Sequence, residues 1–133
     1  MTLHPTITVL IIDDDDDDRF FMQNAFEADS PTTQVQLAVD GQAGLDWLSA
    51  ADDLPDVVLL DLNMPGLTGF EVLKQLKQSS RWRAMPVVIL TTSDSPIDQQ
   101  QARQLGATQF ITKPTTHQGL ATIAEQIRLK CTG

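Results

Sequence analysis

A single cysteine, Cys131, stands near the end of the 133-residue chain. No intramolecular disulfide can form, which fits a reducing compartment, and the cytoplasm is the expected location. Long hydrophobic runs are missing as well. The longest, such as those at 9–12 and 57–60, are four to five residues, against about 18 for a membrane span. The opening Met1-Thr2-Leu3-His4-Pro5 lacks the basic start and apolar centre of a secretory leader. No membrane contact is expected. Basic charge is scarce too: nine Lys and Arg face 18 Asp and Glu, for a net charge of -9. An acidic surface repels phosphate backbones, so direct nucleic-acid binding is not expected. What is present suffices for one domain. A chain this long buries roughly two-thirds of its unfolded surface and folds without disulfide or zinc staples.

Three short runs rich in β-branched residues or leucine, at 7–12, 57–60 and 87–90, read as strands buried on both faces. Weaker runs at 34–38 and 109–112 complete a sheet. Helical spacing lies between and after them: Phe21, Ala25 and Ala28; Leu45 and Leu48; Phe70, Leu73 and Leu76; Leu120, Ile123, Ala124 and Ile127. Ser95-Pro96-Ile97-Asp98 reads as a cap, a first-turn proline and an acid three residues after the cap, and Gly106 closes that helix. Five strand–helix repeats imply a doubly wound α/β fold with helices on both faces of a parallel sheet.

In such a sheet, ligands bind beyond the carboxyl ends of the strands. The residues there are Asp13 and Asp14, then Asp61, then Thr91, Thr92 and Ser93, then Lys113 and Pro114. Converging carboxylates repel by about 4 kcal/mol per pair at 4 Å and an effective dielectric near 20. A divalent cation reverses that sign. With only hard oxygen ligands at hand, Mg2+ is expected, with Mn2+ as the alternative. Beside it, Lys113 and Thr91 suit a phosphoryl oxygen, and a carboxylate suits attack on phosphorus to give an aspartyl phosphate.

At this point the chain resembles the receiver domain of bacterial response regulators, in the single-domain form similar to the chemotaxis regulator. The resemblance runs over about 8–129. It is carried by Val9-Leu10-Ile11-Ile12-Asp13-Asp14, Val57-Val58-Leu59-Leu60-Asp61-Leu62-Asn63-Met64-Pro65-Gly66, Gly69-Phe70-Glu71, Pro86-Val87-Val88-Ile89-Leu90-Thr91, Gly106-Ala107 and Phe110-Ile111-Thr112-Lys113-Pro114. It implies one receiver domain over 1–133, flavodoxin-like, with strand order 2-1-3-4-5 in a three-layer sandwich. It implies that Asp61 accepts a phosphoryl group from a sensor histidine kinase or a phosphotransfer protein. Asp14, Asp61 and the Asn63 backbone carbonyl would ligate the metal, with Asp13 acting mostly through water. Thr91 and Lys113 would meet the phosphoryl group. Thr91 and Phe110 would form the switch, and Asn63 and Ser93 would tune phosphoryl lifetime. The chain would be no enzyme in the usual sense, assisting only its own phosphorylation and dephosphorylation. Its output would pass through 95–129 to another protein or through a homodimer.

Some features read as structural. Residues 15–18 look like a solvated acidic helix start, with Asp15 or Asp16 as a cap. An EF-hand fails: from Asp16, position twelve is Glu27, but the glycine position holds Phe21. Phe110 has no hydroxyl and serves equally as core aromatic or switch. Trp82, between Arg81 and Arg83, serves equally as a loop anchor or a partner contact. Among rival functions, a phosphohydrolase with an aspartate nucleophile would want an acid where Asn63 stands. An FMN carrier would not place six aspartates at the phosphate loop, and a degenerate receiver would not keep the full Asp, Thr and Lys set.

Overall fold

A computed structural model describes residues 6–132. His4 and the N-terminal segment read for a leader lie outside them. The elements alternate: β1 (Thr8–Ile12), α1 (Asp16–Asp29), β2 (Gln34–Ala38), α2 (Gly41–Ala50), β3 (Val57–Leu60), α3 (Gly69–Gln78), β4 (Val87–Thr91), α4 (Pro96–Gln104), β5 (Gln109–Thr112) and α5 (His117–Thr132). All pairings are parallel, in the order β2-β1-β3-β4-β5. This is the doubly wound sandwich that the strand runs imply.

The two-residue period of the strands divides the core. Leu10, Ile12, Val58, Leu60, Val87 and Ile89 pack with α2, α3 and α4. Val9, Ile11, Val57, Leu59, Val88 and Leu90 pack with α1 and α5. Successive side chains of a strand point to opposite faces, so a run apolar at every position serves both layers. Among the described residues, no helix is long and apolar enough to cross a membrane.

Side chains of the connecting loops set the helix starts. Asp15, Asp40, Thr68 and Ser95 each accept a backbone N–H from three residues on, and Pro96 follows Ser95 as expected. The buried stripe of α1 differs from the expected one. Met22 and Phe26 are buried, whereas Phe21 and Ala28 are exposed. Two apolar stripes one residue apart compete on this helix, and the helix start fixed by Asp15 turns the Met22 side inward. The 79–85 segment is an anchor. The Arg81 guanidinium donates to the carbonyls of Leu48 (3.2 Å) and Ala51, where α2 ends without a basic residue of its own. Trp82 packs half-buried against the α2–α3 side of the core.

Gly69, the first residue of α3, sits against the end of β3. A Cβ there would stand 2.1 Å from the Asp61 carbonyl oxygen and 2.6 Å from the Leu62 Cα. Both neighbours are backbone and cannot step aside. Gly69→Ala is expected to lower unfolding stability by about 3 kcal/mol, the upper range for overpacking a tight site. Gly66→Ala meets no atom and carries only the strain of its positive φ of 74°, costing about 1 kcal/mol. Urea unfolding of the two variants checks that order.

Candidate functional site: an acidic cluster at the carboxyl edge of the sheet

Ile12 and Leu60 are partners in the parallel register of β1 and β3. The next residue on each strand is an aspartate, so Asp13 and Asp61 leave the sheet side by side. Backbone bonds hold both: the Asp61 N–H donates to the Ile12 carbonyl at 3.0 Å and the Asp13 N–H to the Ala38 carbonyl at 3.1 Å. Apolar strands on either side keep water away. Asp13 is 1% exposed and Asp61 6%, while Asp14 is exposed. Carboxylate oxygens of the three lie within 4.8 Å of one another, and no other trio of His, Cys, Asp or Glu among the described residues does so.

Lys113 enters from the opposite side. Its N–H donates to the Thr91 carbonyl at 2.7 Å, one step past the Thr91–Thr112 register pair. Its ammonium lies 2.8 Å from Asp13 Oδ2, 2.6 Å from Asp18 Oδ2 and 3.5 Å from Asp61 Oδ2. Burial pulls Lys113 down, but contact with Asp13 and Asp18 and the charges of Asp13 and Asp61 outweigh it and raise it above the ordinary lysine value. Asp13 moves upward. Burial raises it more than Lys113 and the Asp15 N–H (2.9 Å to Asp13 Oδ1) lower it.

The donor set fits a hard divalent cation. It is oxygen only, and Asp13 Oδ2 is a buried acceptor touched by the ammonium charge but by no aligned hydrogen-bond donor. Unit charges 4.8 Å apart repel by about 3 kcal/mol at an effective dielectric near 20. Lys113 meets three carboxylates, those of Asp13, Asp18 and Asp61, with Asp14 close by, so one ammonium offsets only part of the negative charge gathered there.

A family model described as "Response regulator receiver domain" matches residues 9–125. The chain belongs to that family. Receiver domains are the phosphoaccepting modules of two-component signalling. The chain is 36% identical over 124 residues to "Probable methanogenesis regulatory protein FilR2" of Methanothrix harundinacea, covering 90% of this chain and 80% of that protein. It is 39% identical over 87 residues to PilH of Pseudomonas aeruginosa, covering 65% of this chain and 70% of that one. Among solved structures, the phosphorylated cyanobacterial phytochrome response regulator RcpA superposes with a TM-score of 0.85 at 28% identity, over 92% of this chain and 91% of that chain. The chemotaxis response regulator CheY4 of Vibrio cholerae superposes at 0.79 and 29% identity, over 92% and 99%.

In this receiver, Asp13, Asp14, Asp61 and Lys113 come together as the strand ends imply. Thr91 is fully buried at the end of β4, where its Oγ1 accepts the Ser93 N–H at 3.4 Å. Asn63 is exposed, and its N–H donates to Asp61 Oδ1 at 3.4 Å. The Ser93 hydroxyl turns to the first turn of α4, donating to Asp98 Oδ2 at 2.6 Å and accepting the Ser95 N–H at 3.2 Å. Phe110 is half-buried and packs on the α2–α4 side of the core. The reading of 15–18 as a solvated helix start holds for the Asp15 cap but not for Asp18, whose carboxylate bonds Lys113. The clue lay in helix geometry. The cap bond from the Asp18 N–H to Asp15 Oδ1 (2.9 Å) puts Asp18 in the first turn, beside the end of β5.

The rise of Asp13 above its ordinary value of 3.8 means that folding favours its protonated form. Its contribution is most favourable below that value and is lost as pH rises through the folded value. In metal-free protein at neutral pH, Asp13→Asn is therefore expected to stabilise the fold. The gain shrinks on acidification toward pH ~4. Thermal unfolding in chelator, from neutral to acid pH, reads both; a less stable Asn variant at neutral pH refutes the sign.

Proposed function

We propose that Asp61 accepts a phosphoryl group, in a magnesium-dependent reaction, from a sensor histidine kinase or a phosphotransfer protein. The observation that carries this is the placement of a nearly buried Asp61 carboxylate between two further acids and the Lys113 ammonium. An Asp61 oxygen forms the bond to phosphorus, and the bond from phosphorus to the donor breaks, the donor leaving with the electron pair. Asp13, Asp14, Asp61 and the Asn63 carbonyl would hold Mg2+, or Mn2+ in its place. When bound, that ion offsets the negative charge gathered on the carboxylates and phosphoryl oxygens.

The chain's own residues do the rest. Lys113 supplies a positive charge to a phosphoryl oxygen, and the Thr91 hydroxyl supplies a donor at the end of β4. The strand ends orient Asp61 and exclude water around Asp13. Asn63 and Ser93, each two residues beyond Asp61 and Thr91, flank the site and tune the lifetime of the phosphoryl group. The chain assists only its own phosphorylation and dephosphorylation. Phosphorylation turns one carboxylate into a group with more charge and more acceptor oxygens, drawing on Thr91 and Lys113. Phe110, without a hydroxyl, can take part in that switch only by repacking its ring. The responding surface is 95–129, which presents Ile97 at 75% exposure to another protein or a second copy of the chain. The setting is the cytoplasm.

Incubation with acetyl phosphate and Mg2+ is expected to add one phosphoryl group per chain, detected by intact mass. Chelator abolishes the addition, and so does Asp61→Asn. An Asp61→Asn variant labelled as well as the parent chain ends this reading.

A further inference from the structure

Lys113 makes its shortest contact with Asp18, not with the residue it would serve. Nζ is 2.6 Å from Asp18 Oδ2 and 3.5 Å from Asp61 Oδ2. Asp18 is held from two sides. Its own N–H is tied to the Asp15 cap at 2.9 Å, and its carboxylate is anchored by the ammonium, whose side chain is only 10% exposed. The pair walls one side of a cleft of about 250 Å³ between α1 and the start of α5, lined also by Phe21, Pro114 and His117. Neither Asp13 nor Asp61 lines that cleft. The resting ammonium is thus shared between the site and the first turn of α1.

We propose that Asp18 is a positioning residue that holds Lys113 in a resting place and competes with the phosphoryl group for it. This rests on the phosphoacceptor reading of Asp61. A lysine ammonium has three donors and acts as a point charge. Asp13, Asp18 and Asp61 already occupy its neighbourhood. A phosphoryl oxygen arriving on Asp61 gains Lys113 only as the contact with Asp18 weakens. Asp18 therefore opposes formation of the aspartyl phosphate, and removing its charge should speed that reaction.

The test compares initial rates of labelling by acetyl phosphate at saturating Mg2+. In each case an Asp61 oxygen bonds to phosphorus while the bond to the acetyl oxygen breaks and acetate leaves. Asp18→Asn keeps size and helix position, and is expected to label at least threefold faster. Asp18→Glu, which keeps a charge able to reach the ammonium, stays near the parent rate. Asp17→Asn removes an equal charge from an exposed neighbour outside the Lys113 contacts and controls for general repulsion of an anionic donor. Rates for Asp18→Asn at or below the parent rate overturn the proposal. So does equal acceleration by Asp17→Asn or Asp18→Glu. The pair is also read without magnesium or donor: Asp18→Asn should move the Lys113 15Nζ resonance, and Asp17→Asn should not. An unmoved resonance overturns the resting contact itself. If the parent chain does not label at Asp61, the competition falls together with the phosphoacceptor reading, while the resonance still decides whether the pair exists.

Discussion

Crowding of carboxylates around one ammonium is the constraint on which this structure turns. Asp13 and Asp61 are both buried, burial disfavours the charge of Asp13, and Asp14 stands within reach of both. Lys113 compensates only part of that charge. Isolated buried charges are costly, and a chain free to relax would turn them to solvent. Here the backbone prevents it. Ladder bonds from the Asp13 and Asp61 N–H groups continue the sheet past its strands, and Gly69 packs closely against the Asp61 backbone carbonyl. The fold thus stores an excess of negative charge of the kind that a divalent cation would relieve.

That imbalance depends on an apolar frame. Strands apolar at every position bring both helix layers against the sheet and leave its carboxyl edge as the place where polar chain can emerge. Because β1 and β3 are neighbours in the sheet, residues 48 apart in sequence end in the same place. The site is a consequence of strand order as much as of residue type. The same three aspartates after non-adjacent strands would lie too far apart to share an ion, since neighbouring strands are about 4.8 Å apart.

Strand runs, caps and strand-end residues were legible in the sequence because each follows from local chemistry: β-branched runs, Ser-Pro at a helix start, polar residues where an apolar run stops. Less legible were features set by helix rotation and by long-range pairing. On α1 the Phe21 and Met22 stripes compete, and only the cap at Asp15 and the packing of Phe26 decide between them. Asp18 hides in a run of identical residues, where composition cannot distinguish a partner of Lys113 from a solvated neighbour. Arg81 joins the end of α2 across 33 and 30 residues of sequence. No periodicity records a contact of that kind. The Ser93 hydroxyl is likewise engaged by Asp98, a local bond whose direction depends on how α4 leaves β4.

Two charged contacts tie α1 to the last part of the chain. Near its start, Asp18 meets Lys113; near its end, Asp29 accepts the Arg128 guanidinium at 2.6 Å. Between them Met22 and Phe26 pack in the same apolar layer as Ala124 and Ile127. An α-helix is stiff over this length, so a change at one end is carried along it more readily than absorbed within it. The lower contact and the apolar layer favour keeping α1 on α5, while the upper contact depends on where the Lys113 ammonium is drawn. A displacement of that ammonium toward Asp61 would therefore loosen the upper contact, beside which Phe21 meets His117 edge to face at 5.1 Å. The same lysine that would steady a phosphoryl group is, in the resting protein, part of how the first and last helices are joined.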